Sequence, residues 1–487
     1  MGIKRTVLLV VGVAVMLVGL NITTKVFNPP QKAFNIKEIN YYPKDFTWLN
    51  FWSQWPLAKQ QMDDDLDKIQ ELGANTVRIF IHPFVFGYPE VETKYLDYLD
   101  EALSLLDAHQ LKAHVTLFDL WWSWNDIEGS QTWMTSVVEP FRNDPRILIW
   151  ELQNEVDLEK DHIRDWVQVM FPALKELAGN TLSTVSVIGV EWLDDVKKLT
   201  APNSPEIYSL HWYPSRLLLS QKLPADLERA FDLIGDAELL IGEFGFNTYT
   251  LAEEFQANMY RDILYYANQK GIKHLGAWTF SDFPETAIEK KEEQHFGLFR
   301  LDGTPKPAAM ILKDAFHGHF PASPTPVMLS NTSFERVNPL SMRLDNWQPW
   351  DVNWTMQNRF EQDCTTAYEG ACSVQLFSTS GVPVGLYTTS AVPVGSNTGY
   401  GLKGVLKTQN LDGWAQIVMS WLDAEGNRIG DTRSQSFYEA NASEWTDISI
   451  EKTKPLPGAR FVQIYVQMMS THENSIVWFD DLQIILP

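Results

Sequence analysis

From about residue 34 the chain alternates two hydrophobic rhythms. Short apolar runs stand at 34–40, 76–81, 113–118, 147–151, 184–188, 207–211, 239–243 and 274–280. Their length and β-branched content predict strands. Between them apolar residues recur at helical spacing. Leu66, Ile69 and Leu72 mark a helix over 63–72 that Gly73 stops, and Leu96, Leu99, Leu103 and Leu106 mark one over 95–109. Further helices are predicted at 163–178, 225–234, 251–270 and 306–317. The run Asp63-Asp64-Asp65 reads as an acidic helix start, favoured by the helix dipole. Eight strand–helix repeats predict a parallel sheet closed into a (β/α)8 barrel.

Beyond residue 317 the texture changes. Pro321-Ala322-Ser323-Pro324-Thr325-Pro326 predicts a stiff linker. The stretches 414–421, 461–468 and 476–486 then read as strands between polar turns, Glu425-Gly426-Asn427 among them. With no helical periodicity there, the second domain is expected to be an all-β sandwich or jelly roll. The expected organisation is a targeting segment over 1–30, a barrel over 31–319, a linker over 320–326 and a β-sandwich over 327–487.

Lys4 and Arg5 precede an unbroken apolar run over 7–20. That run is short for a membrane span and suits a signal sequence. A cleaved signal and a single retained membrane anchor both remain open. Either places the rest outside the cytoplasm, secreted or at the cell surface. There the two cysteines, Cys364 and Cys372, are expected to form a disulfide, with a pair of buried thiols as the alternative. A net charge of -23 disfavours nucleic acid and anionic membrane surfaces and suits a neutral ligand met by a monomer. Among 19 Trp, two groups follow the first and third strands: Trp48, Trp52 and Trp55, then Trp121, Trp122 and Trp124. Such rings could line a sugar cleft or simply pin long loops.

In such a barrel the active site lies at the C-terminal strand ends. The polar residues there are Arg78 on the second strand and Asp119 past the third. Asn154 and Glu155 stand at the fourth, His211 and Tyr213 at the sixth, Glu243 at the seventh and Trp278 at the eighth. Two carboxylates at separate strand ends suit glycosidic bond cleavage, one as proton donor and one ionised. Glu155 is expected to have a raised pKa, and Glu243 to be held ionised by Arg78 and Tyr213. Glu151, on the Glu155 strand, reads as a structural ion-pair partner.

This set resembles glycoside hydrolase clan A, nearest its cellulase-like family 5, over roughly 34–317. The resemblance implies a retaining β-glycosidase with Glu155 as acid/base and Glu243 as nucleophile. It further implies that Asn154 binds the sugar 2-hydroxyl, Trp278 floors the reacting sugar, and His211 orients the sugar or the acid/base. Arg78, Tyr213, Asp119, Trp121 and Trp122 complete the expected substrate-binding set. The chain departs from the family at the third strand. Leu117-Phe118-Asp119-Leu120-Trp121 stands where a His is usual, and His114 falls earlier. In the second domain Asn331-Thr332-Ser333-Phe334-Glu335, Tyr368-Glu369-Gly370 and Phe479-Asp480-Asp481-Leu482 resemble jelly-roll carbohydrate-binding modules. That likeness implies a structural calcium near Glu335 and Asp481. It offers Trp347, Trp350, Trp354 and Trp414 as stacking rings or as core. No cofactor is expected for catalysis. The expected substrate is a plant-type β-linked polysaccharide or oligosaccharide, β-mannan first and β-glucan second. The alternatives are a non-catalytic carbohydrate-binding barrel and a transglycosylase.

Overall fold

The computed structural model describes residues 34–486 apart from 214–218, 250–251, 326–328, 351–358, 379–380, 396–397, 425 and 473. The segment 1–30 and Trp354 lie outside the described residues. Among those described, no helix is long and apolar enough to cross a membrane.

Nine parallel strands form the first sheet: β1 (Lys37–Asn40), β2 (Thr76–Phe80), β3 (Lys112–Phe118), β4 (Ile147–Gln153), β5 (Leu182–Thr184), β6 (Ser186–Ile188), β7 (Ile207–His211), β8 (Glu238–Phe244) and β9 (His274–Ala277). Their spatial order is β5-β4-β3-β2-β1-β9-β8-β7-β6. Because β5 and β6 are halves of one strand broken at Val185, the order returns on itself as a nearly closed barrel. The eight expected strands are all present. The last is shorter than its apolar run, which continues past Ala277 into the loop that carries Trp278.

Ten helices accompany these strands: α1 (Asn50–Ser53), α2 (Trp55–Glu71), α3 (Pro83–Phe86), α4 (Thr93–Ala108), α5 (Ile127–Val138), α6 (Asp161–Ala178), α7 (Leu193–Thr200), α8 (Leu219–Ile234), α9 (Glu253–Gln269) and α10 (Pro307–Phe316). Two expectations fail near the start. The aspartates 63–65 do not begin a helix, because α2 already begins at Trp55, with Pro56 in its first turn. Asp65 is instead buried and receives the Tyr41 hydroxyl at 3.1 Å. Trp52 and Trp55 are not cleft rings in a loop. They are buried on α1 and α2 and pack on each other with centroids 5.4 Å apart. Helix α5 was hidden by its hydroxyl residues, which are weak helix formers. Here Ser130, Thr132, Thr135 and Ser136 each donate to the carbonyl four residues earlier, and Asp126 caps the helix through the Gly129 N–H at 3.0 Å. Its buried Trp133, Met134, Val137 and Val138 face the core.

Among the described residues no helix follows α10. Eleven strands make two antiparallel sheets, from β10 (Trp347–Pro349), β11 (Arg359–Asp363), β12 (Ser373–Phe377), β13 (Val384–Thr388), β14 (Val392–Pro393), β15 (Tyr400–Gln409), β16 (Gly413–Leu422), β17 (Arg428–Arg433), β18 (Thr446–Thr453), β19 (Phe461–Ser470) and β20 (Ile476–Ile485). One sheet runs β10-β13-β19-β16-β17 with β14 on β19, and the other β11-β12-β20-β15-β18. Alternate residues of both, including Leu386, Trp421, Val466 and Phe479, fill a core separate from that of the barrel. Cys364 and Cys372 are bonded to each other. Trp347 belongs to the sandwich core, so it is no stacking ring, whereas Trp350 stands exposed. The proline-rich connector is fastened to α9, where Asp262 accepts the Thr325 N–H at 2.5 Å and the Asn258 carbonyl accepts its hydroxyl at 3.2 Å.

Separate cores set an expectation for stability. Trp421→Ala removes one of the two largest fully buried rings of the sandwich and should cost that lobe about 3–5 kcal/mol. Limited proteolysis across a denaturant series should show earlier cleavage beyond residue 329, with the barrel still resistant.

Candidate active site

The site is built upward from a buried layer of charge. Arg78 on β2 has no exposed surface. Its Nε donates to Glu151 at 2.7 Å and to the Thr116 hydroxyl at 2.9 Å. Its Nη1 donates to Asn40 at 2.9 Å and to Glu243, and its Nη2 to Asn154 Oδ1 at 2.8 Å. Beneath it His114 bridges Glu38 at 2.7 Å and Glu151 at 3.3 Å. Arg78, expected among the sugar-binding side chains, is therefore committed to protein partners. It carries the carboxylates instead of touching a sugar. Glu151 is the buried ion-pair partner its position suggested.

Glu243 ends β8 and is nearly buried. Arg78 holds its Oε1, and the Tyr213 hydroxyl donates to its Oε2 at 2.7 Å. The backbone beside it is crowded. A Cβ on Gly245 would lie 2.0 Å from the Trp278 carbonyl oxygen, so only glycine lets the β9 loop bring Trp278 this close to Glu243. Glu155 lies just beyond β4 in a left-handed conformation with φ of 52°. For a non-glycine residue that costs about 1–3 kcal/mol, a strain typical of functional positions. Ser186, at the break between β5 and β6, offsets it by accepting the Glu155 N–H at 2.9 Å. His211 Nδ1 joins the two carboxylates, 2.9 Å from Glu155 and 3.4 Å from Glu243. Ligating atoms of Glu155, His211 and Glu243 all lie within 4.8 Å of one another. Three such groups could in principle hold a metal, but the guanidinium already seated on Glu243 disfavours a second cation there.

Burial and charge shift each of these groups. Desolvation lifts Glu155 to about 7, opposed by Arg78 and helped by Asp119, Glu151 and Glu293. Burial also raises Glu243 above its ordinary value, outweighing the opposing pull of His211, Arg78 and the Tyr213 hydrogen bond. Burial works against ionised Glu151 too, yet Arg78 and His114 hold it well below the usual carboxylate range. Desolvation lowers His211 to about 4, so its ring is neutral near pH 7.

Around this centre the expected residues sort by burial. Trp278 is half-buried, edge-on to Trp48 and Phe80. Trp122 is 64% exposed and packs on Phe84 with centroids 5.0 Å apart. Trp121 is buried beneath it, between Tyr88 and Phe118, and offers no stacking face. Trp124 leans on Trp166 and pins its loop. Asp119 is buried and accepts the Tyr42 hydroxyl at 3.1 Å, with the His82 ring 3.3 Å from its carbonyl. Tyr42, His82 and Ser186 are site residues that sequence reasoning missed. His82 had a readable signal, a polar residue directly after the second apolar run. It brings an imidazole to the end of β3 from the neighbouring strand.

The family model of cellulase (glycosyl hydrolase family 5) matches residues 31–283, more than half of the chain. The chain belongs to this family. It is thus a glycosidase, hydrolysing O-glycosyl bonds. No curated protein matches it in sequence. Among solved structures, an exo-β-1,4-mannosidase from Opitutaceae bacterium strain TAV5 is similar with a TM-score of 0.51 at 20% identity, over 62% of this chain and 64% of that one. The present chain thus spans just under two thirds of that mannosidase. GH5_18 from Streptomyces cattleya, in complex with Manβ1-4GlcNAc, is similar with a TM-score of 0.51 at 18% identity, over 63% of this chain and 86% of that one. GH5_18 from Bifidobacterium longum subsp. longum ATCC 55813 gives 0.51 and 18%, over 60% and 82%. At these identities the likeness establishes the fold.

The two carboxylates expected near a calcium on the sandwich of this family 5 glycosidase each accept hydrogen bonds from the protein. Both oxygens of Glu335 accept the Ala371 N–H, at 3.0 and 3.1 Å, and Asp481 accepts Gln483 Nε2 at 2.6 Å.

The Glu155 shift has a sign that can be checked. Its folded pKa, about 7, lies above its ordinary 4.5, so the proton favours the folded state. That contribution is complete below pH 4.5 and lost as pH rises through 7. Glu155→Gln cannot ionise and keeps it. The variant should match wild type in stability at pH 4 and exceed it at pH 8 by on the order of 1–3 kcal/mol, read from denaturant midpoints.

Proposed function

We propose that this glycosidase cleaves β-mannosidic bonds with retention of configuration, Glu243 acting as nucleophile and Glu155 as acid/base. The observation that carries this reading is the separation of the two carboxyl groups, whose oxygens approach within 4.8 Å. That close approach supports the spacing of about 5–5.5 Å used by retaining enzymes over the roughly 6.5–9.5 Å that seats a water in inverting ones. Protonated Glu155 gives its proton to the leaving oxygen as a Glu243 oxygen bonds to the anomeric carbon. Glu155, now ionised, takes a proton from the incoming water, which displaces Glu243. The neutral His211 presents Nδ1–H to Glu155 Oε1, which leaves the transferable proton on Oε2. Asn154 Oδ1 is held by Arg78, so its Nδ2 is free to turn toward the 2-hydroxyl. Trp278 floors the reacting sugar, and Asp119 and Trp122 extend the site along the cleft.

The β-mannoside assignment draws support from the mannosidase and the Manβ1-4GlcNAc complex to which the fold is similar. A β-glucan is the next substrate to test. The reading includes export by the N-terminal segment, action as a monomer without cofactor, and glycan binding by the sandwich through Trp350 and Trp414.

The two glutamates should leave different signatures. Glu243→Ala should lose activity by orders of magnitude on every substrate. Glu155→Ala should retain most of its first step on aryl glycosides with good leaving groups and accumulate the glycosyl-enzyme. Azide should restore turnover in both variants, giving the β-glycosyl azide with Glu155→Ala and the α-azide with Glu243→Ala, distinguished by NMR. An inverted wild-type product would refute retention. Comparison of mannan, glucan and manno-oligosaccharide hydrolysis, with product sizing, decides substrate and mode, and products longer than the substrate would mark a transglycosylase.

A further inference from the structure

Among the described residues, a loop of the sandwich reaches the barrel beside its catalytic face. Val337 and Leu344 bridge its base, and residues 338–343 form its tip. Asn338 sits at that base, 3% exposed. Its Oδ1 accepts the Leu340 N–H at 2.9 Å and closes the tip. Its Nδ2 turns the other way and donates to the Thr248 carbonyl at 2.9 Å. Thr248 lies in the loop directly after β8, a few residues beyond Glu243.

Thr248 passes this contact on. Its N–H donates to the His295 carbonyl at 2.8 Å, and its hydroxyl receives Lys306 Nζ at 3.0 Å. Lys306 is itself buried on Asp282 at 2.7 Å. The single amide nitrogen of buried Gln256 serves the carbonyls of Phe246, Phe296 and Gly297. The stretches 245–249 and 293–297 are thereby joined into one wall of the cleft. Phe296 of that wall meets the Tyr213 ring edge-on with centroids 6.2 Å apart, and Tyr213 holds Glu243. Glu293 of the same wall helps to keep Glu155 protonated.

We propose that the sandwich is a working part of the active site, with Asn338 as the positioning residue that fixes the 293–297 wall beside Glu155 and Tyr213. The inference rests on Glu155 being the acid/base. A contact that merely glued the two lobes would not need this geometry. The exposed pair of Arg336 and Glu254, 3.3 Å apart on the same seam, would serve, and such pairs contribute little. The buried, directed bond from Asn338 instead lands on the loop that continues from the Glu243 strand.

Asn338→Asp removes the donor and keeps the Oδ1 acceptor that closes the tip. On a manno-oligosaccharide, kcat/KM should fall about tenfold, the scale of one buried hydrogen bond expressed in a transition state. The charged and titratable groups acting on Glu155 are Arg78 from β2, Asp119 after β3, Glu151 from β4, His211 from β7, Glu243 from β8 and Glu293 from the wall. Of these only Glu293 should move, and Asn338→Ala, which adds no carboxyl of its own, controls for the charge that Asn338→Asp introduces. With the Glu293 repulsion weakened, the alkaline limb of the pH–rate profile should shift to lower pH. Amides in 245–249 and 293–297 of the full chain should exchange hydrogen faster. Arg336→Ala should change none of these readouts. If Asn338→Asp does not accumulate folded, Asn338→Ala carries the same measurements. A variant with lowered melting temperature but unchanged pH limb and unchanged exchange would reduce Asn338 to glue and overturn the proposal. An alkaline limb that survives in Glu155→Gln would indict the Glu155 assignment instead.

Discussion

Arg78 is a permanently charged side chain with no access to water, and much of the barrel interior is arranged to make that tolerable. An unpaired guanidinium in such a place would cost several kcal/mol. Here charge alternates through the barrel: Glu38, His114, Glu151, Arg78, Glu243. Each sign answers the next, and the neutral groups Thr116, Asn40 and Asn154 take up remaining hydrogen-bonding capacity. Glu243 is the last member of this series and the first to meet the cleft. Its ionisation is therefore tied to charges two layers below it. Glu155 has no direct bond to Arg78, and burial dominates its protonation. Burial raises both carboxyl groups, and they differ in their support: Glu243 rests on the buried charge series and Glu155 stands beside it.

Much of this was readable in the sequence, for definite reasons. Apolar runs ending in a polar residue mark strands whose last side chains meet the cleft, and His211 and Glu243 follow that rule, while Arg78 lies mid-strand beneath the site and Glu155 just past its strand. The alternating texture after residue 317 likewise marks sheets packed face to face. What was not readable depended on long-range neighbours. Helix α5 is rich in hydroxyl residues that local propensity places in turns, and only its buried Trp133 face makes it a helix. The aspartates at 63–65 resembled a helix start because the anchoring of Trp52 and Trp55 in the core could not be seen from local spacing. Ser186 and Tyr42 acquire their roles only when the strands are brought together.

The tryptophans show the same limit. The six rings flanking the first and third strands look alike in sequence, yet they divide by what covers them. Trp52, Trp55 and Trp121 are sealed beneath other aromatics, Trp124 braces a loop, and Trp48 leans toward Trp278. Trp122 remains open because only Phe84 and Trp121 support it from below. A stacking ring needs both a free face and a rigid base, and the aromatic layer under Trp122 supplies the base.

Gln256 lies inside helix α9, away from the cleft, yet it holds three carbonyl oxygens of the cleft wall. Backbone oxygens are the same whatever side chain a residue carries. The course of the wall is therefore specified largely by a few buried amides and one lysine that hold its backbone. Such an arrangement separates inheritance of shape from inheritance of selectivity. A substitution that leaves these carbonyls held can alter which glycan fits without dismantling the scaffold on which the carboxylates depend.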